Sequence, residues 1–532
     1  MSAIATAIDA SSDAFRSNRD AMLELIAEHE SQIERARAGG GERYTTRHRE
    51  RGKLLVRERI ELLVDLDTAF LELSPLAAWD SPFQVGASIV TGVGVICGAE
   101  CVIIAHEPTV RGGTMNPFTL RKNLRALEIA RVNRLPVVNL VESGGGDLPT
   151  QADIFVPAGN IFRELTQLSA AGIPTIALVF GNATAGGAYV PGMCDYAVMI
   201  DQQAKVFLGG PPLVKMATGE EADDESLGGA AMHSRISGLS DYFAVDEVDC
   251  LRLGRQIVAN LNWHKEGPTP RHLVEEPLYD AEDLLGIASV DLRIPFDPRE
   301  VIARLVDGSR FDEYKPQYGT SIVTGWAQIH GYAVGVLANA QGVLFMDESK
   351  KATEFIQLAN QSSTPLIFLQ NVTGFMVGKE YEQAGIIKDG AKMINAVANS
   401  SVPHITVIMG ASYGAGNYGM CGRSYEPRFL FTWPNARVAV MGPQQLAGVL
   451  SIVARQAAEA SGREFDEEAD ARQRGTIEEQ IGRESRALFM TGRVYDDGII
   501  DPRDTRTVLG IALSAATSKT AEGRRGFGVF RM

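Results

Sequence analysis

The chain of 532 residues repeats itself once, and this duplication limits the folds open to it. The segment 57–65, RERIELLVD, recurs as 299–307, REVIARLVD, at an offset of 242. The run IVTG at 89–92 recurs at 322–325, at an offset of 233. The offset then stays at 229 for Pro136/Pro365, Pro174/Pro403, Gly181/Gly410 and Tyr189/Tyr418. Because loop deletions produce a falling offset of this kind, we expect two halves with the same fold.

Within each half, short β-branched runs alternate with helical patterns. Leu120, Leu124, Leu127 and Ala130 recur at helical spacing just before the apolar run 137–141, VVNLV. Alternation of this kind predicts an α/β fold of parallel βαβ units with helices packed outside the sheet. A solenoid is excluded because the period is near 230 residues and occurs only twice.

The domain boundaries follow from composition. The Pro- and acid-rich stretch from about 265 to 295 separates the halves, which predicts domains at 51–275 and 276–532. Residues 1–50 form a predicted helical arm with Phe15, Met22, Ile26 and Ile33 on one stripe. We expect this arm to serve packing or oligomer contact and not catalysis.

Composition excludes several classes of function. The net charge of −15 argues against nucleic acid as the main partner, since phosphate binding needs clustered Lys and Arg. No apolar run reaches the roughly 18 residues of a membrane span, and the N-terminus lacks a secretory signal. Five scattered cysteines favour neither disulfides nor a metal site, so a cytoplasmic protein without a metal is expected.

Two common motifs near residue 414 fail on their context. The segment 414–419, GAGNYG, fits a dinucleotide fingerprint but lacks the acidic residue that should follow about 20 positions later. The segment 410–414, GASYG, fits the elbow of serine hydrolases, whose His must follow the Ser. All eight histidines precede Ser412, and its repeat partner is Ala183.

A glycine-rich turn is common to both halves: 181–189, GNATAGGAY, and 410–418, GASYGAGNY. Each follows a β-run and leads into a predicted helix. Small side chains let a substrate oxygen reach backbone N–H groups at a helix start, which is how an oxyanion hole stabilises a developing anion. Close helix–strand packing is the alternative explanation. The candidate catalytic amides are those of Gly186, Gly187, Ala188, Ala415, Gly416 and Asn417.

Several longer blocks resemble the carboxyltransferase (beta) subunits of biotin-dependent acyl-CoA carboxylases. They are 185–191 (AGGAYVP), 209–215 (GGPPLVK), 369–378 (LQNVTGFMVG) and 496–502 (DDGIIDP). The similarity runs from about Arg47 to Ala516. The segments 375–378 and 416–422 resemble the methylcrotonyl-/geranyl-CoA branch more than the propionyl-/acetyl-CoA branch. The resemblance implies two tandem crotonase-like (ClpP/crotonase) domains, an acyl-CoA side in the first half and a biotin side in the second.

The resemblance also implies a mechanism. Carboxybiotin from a partner would release carbon dioxide at the second turn, where Ala415, Gly416 or Asn417 would hold the ureido oxygen. The biotin nitrogen anion would then remove the acyl-CoA proton, while Gly186, Gly187 and Ala188 hold the enolate oxygen. No side-chain base is needed.

Further contacts are predicted around these turns. The biotin side would use Thr373, Gly374, Phe375 and Val377. The acyl-CoA side would use a set that includes cations for the CoA phosphates: Gly112, Gly113, Thr114, Arg121, Lys122, Gly144 and Gly145. Arg51, Lys53 and Arg57 are a second cationic candidate.

The implied partner is a biotinylated alpha subunit that carries the biotin carboxylase and carrier domains. The implied assembly is a beta hexamer within an α6β6 complex, in which the N-terminal half of one subunit faces the C-terminal half of another. A decarboxylase subunit, a non-catalytic scaffold and a crotonase-type hydratase are the alternatives. The hydratase would need acidic residues beside the oxyanion turn.

Two segments depart from the branch pattern and leave the acyl group open. Residues 142–146 read ESGGG where the branch usually has DSGGA, and residues 155–162 read FVPAGNIF. Both follow the first-half strand that would approach the acyl group.

Overall fold

The computed structural model describes residues 2–270 and 272–532, which form two large mixed β-sheets covered by helices, together with a small two-stranded sheet. One large sheet belongs to each half of the chain. In that part of the chain no helix combines the length and the apolar character needed to cross a bilayer.

The N-terminal arm is shared between the halves: its strand and its long helix pack largely on the second half, whereas its short second helix packs on the first. It contains β1 (Ser2–Ala3), α1 (Asp13–Arg37) and α2 (Glu42–Glu50). The predicted stripe is largely buried, with Phe15, Met22 and Ile26 in the core and Ile33 partly buried. Phe15 lies against Gly286, and Asn18 donates a hydrogen bond to its carbonyl oxygen at 3.2 Å. The arm therefore contributes core to the second half.

The first half builds a sheet in the order β2-β3-β4-β5-β6-β7-β9, with β8 beside β6. Its strands are β2 (Leu71–Leu73), β3 (Ile89–Ile96), β4 (Ala99–His106), β5 (Val137–Ser143), β6 (Thr175–Thr184), β7 (Tyr196–Ile200), β8 (Lys205–Phe207) and β9 (Tyr242–Ala244). Its helices are α3 (Val56–Leu63), α4 (Pro117–Asn133), α5 (Gln151–Ala170), α6 (Tyr189–Met193), α7 (Pro211–Thr218), α8 (Asp224–Gly228), α9 (Ala230–Met232) and α10 (Glu247–Asn260).

The second half repeats this order as β10-β11-β12-β14-β16-β17, with β18 beside β16 and β1 added at the edge. Its strands are β10 (Arg310–Glu313), β11 (Ile322–Ile329), β12 (Tyr332–Asn339), β13 (Val343–Leu344), β14 (Leu366–Val372), β15 (Gly374–Phe375), β16 (His404–Tyr413), β17 (Phe429–Thr432) and β18 (Arg437–Ala439). Its helices are α11 (Leu284–Ile287), α12 (Pro298–Leu305), α13 (Met346–Gln361), α14 (Lys379–Ala384), α15 (Ile386–Asn399), α16 (Gly414–Gly419), α17 (Pro443–Ala460), α18 (Glu467–Glu484), α19 (Ala487–Gly492) and α20 (Thr505–Ala516).

The strand register confirms the predicted duplication. In the first sheet Val137 pairs in parallel with Thr175, and in the second the equivalent Leu366 pairs with His404. Each of these ladders is also interrupted at the same place, between Val141 and Ser143 and between Gln370 and Val372. The first two strand pairings of the first sheet and the first three of the second are antiparallel, and the others are parallel. The sheets are therefore mixed, whereas the sequence periodicity predicted parallel units only.

A buried lysine is repeated with the same partners in both halves. Lys122 donates to the carbonyl oxygen of Ile89 at 2.8 Å, and Lys351 donates to that of Ile322 at the same distance. These residues stand 229 and 233 positions apart, which are the offsets of the sequence repeat. The two lysines tie a helix to the neighbouring strand and are part of the shared scaffold.

The two halves are joined by a buried ion pair. Arg125 on α4 donates two hydrogen bonds of 2.8 Å to Asp497, which also accepts from the backbone of Leu430. Burial would raise the pKa of Asp497, but the guanidinium groups of Arg125 and Arg423 outweigh it and hold that pKa below its usual value. Each half buries one charge of this pair, and burial is tolerated because the other half supplies the opposite charge. The ion pair therefore helps to set the orientation of the halves.

Candidate active site

The two glycine-rich turns occupy the same place in the two sheets. β6 ends at Thr184 and continues into a 3-10 turn at Ala185–Ala188, while β16 ends at Tyr413 and continues into α16. No side chain caps either helical start. Since the first N–H groups of a helix have no partner within it, these amides are available to an oxygen from a ligand.

The first turn opens into a cavity of about 650 Å³. Gly186 and Gly187 both line it, together with Gly145 from the loop after β5. A Cβ placed on Gly187 would meet nothing within 4 Å, and one on Gly186 would lie 3.5 Å from the Phe162 ring. Both glycines therefore border open space, which an oxyanion hole requires, and Ala188 is buried.

Apolar side chains from α4, α5 and β5 form most of the cavity wall. The inner wall is made by Leu127, Val141, Ile154, Ile161, Phe162 and Leu165. Sequence analysis did not assign a role to these residues, apart from noting that segment 155–162 departs from the branch pattern. That segment supplies Phe155, Val156, Ala158, Gly159, Ile161 and Phe162 to the lining.

Buried polar side chains also line the cavity, and three of them are His106, Asn123 and Asn139, each more than nine-tenths buried. Burial lowers the pKa of His106, so its imidazole is neutral at neutral pH. The Nδ1 of His106 lies 3.3 Å from the carbonyl oxygen of Leu140. Within residues 2–270 and 272–532, the Oδ1 of Asn123 has no hydrogen-bond partner. Sequence reasoning did not find any of these three residues.

Five of the predicted substrate-binding residues come together in two adjacent loops, and Gly145 among them lines the cavity. The loop of Gly112, Gly113 and Thr114 runs beside the loop of Gly144 and Gly145, because Gly144 donates to the carbonyl oxygen of Gly112 at 3.0 Å. Gly113 and Gly145 have φ angles of 69° and 95°, which side chains adopt only under strain. A substrate role for these residues stays a prediction.

The two predicted cations beside this loop differ in their exposure to solvent. Arg121 is exposed, with its guanidinium 5.4 Å from the Phe118 ring centroid. Lys122 is 2% exposed and bonded to Ile89, and its burial lowers its pKa to about 8. The burial and hydrogen bond of Lys122 do not favour a contact with a CoA phosphate, because the helical period places the residue on the core face of α4. Its role in substrate binding stays a prediction.

The second cationic candidate is also bound within the protein. Lys53 donates to Glu142 at 2.5 Å, and Arg57 makes two hydrogen bonds to Glu72. The alternation of side chains along β5 turns Glu142 to the sheet face opposite the cavity, where it meets Arg59. Lys53 and Arg57 are consequently engaged by carboxylates.

An acidic residue does lie near the first turn. Asp147 lines the cavity and is 5% exposed, and it pairs with Arg111 at 3.1 Å and with the Thr150 hydroxyl at 3.0 Å. Sequence analysis found no acidic residue in this position. Its partners show that the carboxylate holds the loop after β5 in place.

The second turn packs more tightly than the first. A Cβ on Gly416 would lie 2.6 Å from Val372 and 3.1 Å from the Cα of Gly374, so only glycine fits there. The side chain of Asn417 donates to Ser412 at 2.8 Å, and the Ser412 hydroxyl in turn donates to Gln370 at 2.6 Å. Ala415 is exposed. This buried network fixes the turn.

The residues predicted for the biotin side surround this second turn unevenly. Gly374 contacts it directly, Phe375 packs into the core below it, and Val377 is 73% exposed. Thr373 lines a second cavity of about 570 Å³ together with Tyr413. The other walls of this cavity are largely polar and include Arg293, Gln341, Asn371, Gln444 and Gln445. Each cavity is lined by residues of one half alone.

Comparison with known proteins identifies the fold and the family. Residues 47–529 match the family described as Carboxyl transferase domain, which is most of the chain. The chain belongs to the carboxyltransferase family. It is 65% identical over 525 residues to the probable biotin-dependent acyl-coenzyme A carboxylase beta2 subunit of Mycobacterium tuberculosis, covering 99% of each chain.

Other carboxyltransferase relatives narrow the branch. The chain is 47% identical to the biotin-dependent 3-methylcrotonyl-coenzyme A carboxylase beta1 subunit of M. tuberculosis, over 96% of this chain and 97% of the relative. Among solved structures, the beta subunit of geranyl-CoA carboxylase from P. aeruginosa superposes with a TM-score of 0.91 at 41% identity, covering 100% and 99% of the two chains.

These comparisons confirm the predicted resemblance, the crotonase-like α/β fold and the reaction class. The protein is a carboxyltransferase subunit of the acyl-CoA carboxylase type, on the methylcrotonyl-/geranyl-CoA side of the family. Groups of three or more His, Cys, Asp or Glu with metal-ligating geometry do not occur among the described residues.

Proposed function

We propose that the first turn binds the thioester oxygen of an acyl-CoA and that the second turn binds the biotinyl group of a partner subunit. The single observation that carries this proposal is the pair of uncapped helix starts at equivalent positions of the two sheets. Gly186 and Gly187 donate N–H groups toward a developing enolate in an apolar cavity, where such donors are worth several kcal/mol. The loops of Gly113 and Gly145 form the mouth through which the thioester enters.

The second turn suits a ureido oxygen for a physical reason. Ala415 and Gly416 present backbone donors, and the Gln370–Ser412–Asn417 network holds that backbone rigid. Thr373 and Tyr413 line the adjoining polar cavity, whose side chains match the amides of a biotinyl group. When bound there, the biotinyl group supplies the carboxyl group that is transferred. This chain orients the biotinyl group and compensates the negative charge that develops on it.

The complete site requires more than one chain in this proposal. Since each cavity is lined by one half only, the acyl-CoA side and the biotin side must meet across a contact between copies. Apolar side chains are exposed near both, including Phe155 and Val156 on α5 and Ile452 and Val453 on α17. Exposed apolar patches mark protein interfaces. A hexamer that binds a biotinylated alpha subunit in the cytoplasm accounts for them.

The test is reconstitution of the intact carboxylase with its biotinylated partner, followed by incorporation of labelled bicarbonate into acyl-CoA. We expect Gly187→Val to lower turnover by about 10²-fold or more, because its side chain fills the approach to the oxyanion donors. The variant should fold normally, since no atom lies within 4 Å of the new Cβ.

Gly475→Val is the matched control, because Gly475 is exposed on α18 with equally open surroundings. Equal turnover for the two variants would support a scaffold role and contradict the proposal. Decarboxylation without ATP-dependent carboxylation would indicate the decarboxylase alternative; a decarboxylase subunit from Veillonella parvula is 31% identical to this chain.

A further inference from the structure

The cavity beside the second turn contains a hydrogen-bond donor that the protein does not use. Asn371 lines this cavity and is only 8% exposed. Its Oδ1 accepts a hydrogen bond of 3.1 Å from the backbone of Ala411, which fixes the orientation of the side-chain amide. Its Nδ2 donates to no atom of the described chain, and it is not one of the unpaired atoms that the protein encloses completely. The N–H groups of Asn371 therefore face the cavity.

The start of a long helix supplies further donors to the same cavity. α17 has 18 residues, and its first turn lines the cavity from Gly442 to Gln445. No side chain caps this end of the helix. Pro443 has no N–H group, and the N–H of Leu446 already donates to the carbonyl oxygen of Gly442. Within the described chain, the N–H groups of Gln444 and Gln445 have no acceptor, and the helix dipole makes this end positive.

Comparison of the two halves shows that these donors are specific to the second. β8 and β18 are equivalent at an offset of 232, so Pro212 on α7 stands where α17 has Gln444. The residue equivalent to Asn371 is Glu142, whose carboxylate accepts a hydrogen bond from Lys53. A proline and an engaged carboxylate donate nothing. The same scaffold therefore presents free donors at these two positions only in the second half.

The charges around the cavity favour a small, singly charged ligand. Arg293 and Glu478 both line it, and Arg293 also pairs with Asp291 at 2.7 Å. Because Glu478 would repel a doubly charged anion, the free amides and the helix start are the groups that can compensate a ligand's charge. A carboxylate has two oxygens that only accept hydrogen bonds, and so it matches donors that approach from two elements.

We infer that this cavity binds a carboxylate group through the Nδ2 of Asn371 and the first N–H groups of α17. Such a group can arrive on the biotinyl ring that carries the carboxyl group to be transferred, or as a free carboxylate such as bicarbonate. The first source rests on the proposed function, and the site itself does not. The second turn lies close enough for the first source, since a Cβ on Gly414 would be 3.1 Å from the carbonyl oxygen of Val440, two residues before Gly442.

The binding test uses the full chain in its native assembly and sodium acetate as the probe, with saturation-transfer NMR of the acetate methyl signal as the measurement. We expect Asn371→Asp to lower the transfer about fivefold or more, because a carboxylate replaces the donor and repels the anion. The variant keeps the oxygen that accepts from Ala411. Asn262→Asp adds the same charge at an exposed position and should leave the transfer unchanged.

A second variant tests the helix start independently. Gln444→Pro removes one of the free N–H groups and reproduces the sequence of the first half, and proline is well tolerated in the first turn of a helix. It should also weaken the transfer to acetate. No transfer from the wild type, or equal transfer from the wild type and both variants, would overturn the inference.

Turnover of the intact carboxylase distinguishes the two sources of the carboxylate. If the biotinyl ring brings it, acetate should inhibit carboxylation, and Asn371→Asp should lower kcat about tenfold or more with the KM for acyl-CoA unchanged. If a free carboxylate is the ligand, acetate should bind without inhibiting, and the variant should keep its kcat within about twofold. Failure of the proposed function would appear separately, as equal turnover of Gly187→Val and Gly475→Val, and would leave acetate binding intact.

Discussion

At the scale of single residues, glycine has two different roles in the paired turns. Gly416 is required by packing, because any side chain would meet Val372 and the backbone of Gly374. Gly187 has open space around it, so packing does not require glycine there. In the proposed function, glycine is needed at this position so that a ligand can approach the backbone. Sequence alone makes the two positions look equivalent, since they are exact repeat partners at an offset of 229. Substitution at Gly187 is consequently the cleaner test of function.

Another residue-scale prediction concerns Asp496, which is fully buried beside the junction of the halves. Its Oδ2 accepts a hydrogen bond of 2.7 Å from Thr432, and burial raises its pKa to about 7. The folded state thus holds a proton that the unfolded state releases near pH 4. This contribution to stability is fully present below pH 4 and is lost as pH rises through 7.

We expect Asp496→Asn to remove that part of the pH dependence, which amounts to a few kcal/mol at about 1.4 kcal/mol per pKa unit. Thermal unfolding of both proteins between pH 5 and 8 measures it. The wild type should lose stability relative to the variant across this range. Parallel curves would contradict the assignment, and the exposed Asp312→Asn serves as control.

At the scale of elements, the N-terminal arm precedes the first half in sequence but packs largely on the second half. β1 pairs with β10, and α1 packs on α11, so β1 and most of α1 complete the second half. Ala7 and Thr6 fix the connection by hydrogen bonds to Glu300. The arm should therefore stabilise the second half in particular.

We expect Met22→Ala to lower the free energy of unfolding of the second half by about 2–5 kcal/mol, because Met22 is fully buried and the substitution leaves a cavity. Limited proteolysis after partial denaturation should then cut within 276–532 before 51–275. The neighbouring exposed Glu24→Ala should leave the cleavage order of the wild type. Earlier cleavage of the first half would contradict the prediction that the arm stabilises the second half.

At the scale of the whole molecule, the two halves share a scaffold but differ in what fills it. The junction through Arg125 and Asp497 sets their orientation within one chain. Each cavity is lined by one half, and the proposed function therefore brings the two turns together across a contact between copies. Assembly and activity should accordingly be lost together.

We expect Ile452→Glu to break the oligomer and to lower carboxylation at least tenfold, because a charge would be buried in the contact between copies. Light scattering after size exclusion measures the first effect and labelled bicarbonate the second. Gln473→Glu adds the same charge on the exposed face of α18 and should change neither. An active monomer would contradict the shared site.

The sequence alone determined the duplication, the α/β class, the paired glycine turns and the family, because each of these depends on local pattern or on residues close in the chain. The offsets 233 and 229 reappear in the strand register and in the buried lysines. The spacing of apolar residues along α4 is also visible in the sequence, and it places Lys122 on the core face of the helix.

Only the tertiary structure decided which side chains line the cavity beside the first turn. His106, Asn123, Asn139 and Leu165 come from β4, α4, β5 and α5, and their meeting depends on how two helices cross a sheet. The attachment of the arm to the second half and the pairing of Arg125 with Asp497 likewise join residues more than 260 positions apart. Contacts of that range are fixed by packing and by the need to compensate buried charge, and neither leaves a periodic signal in the chain.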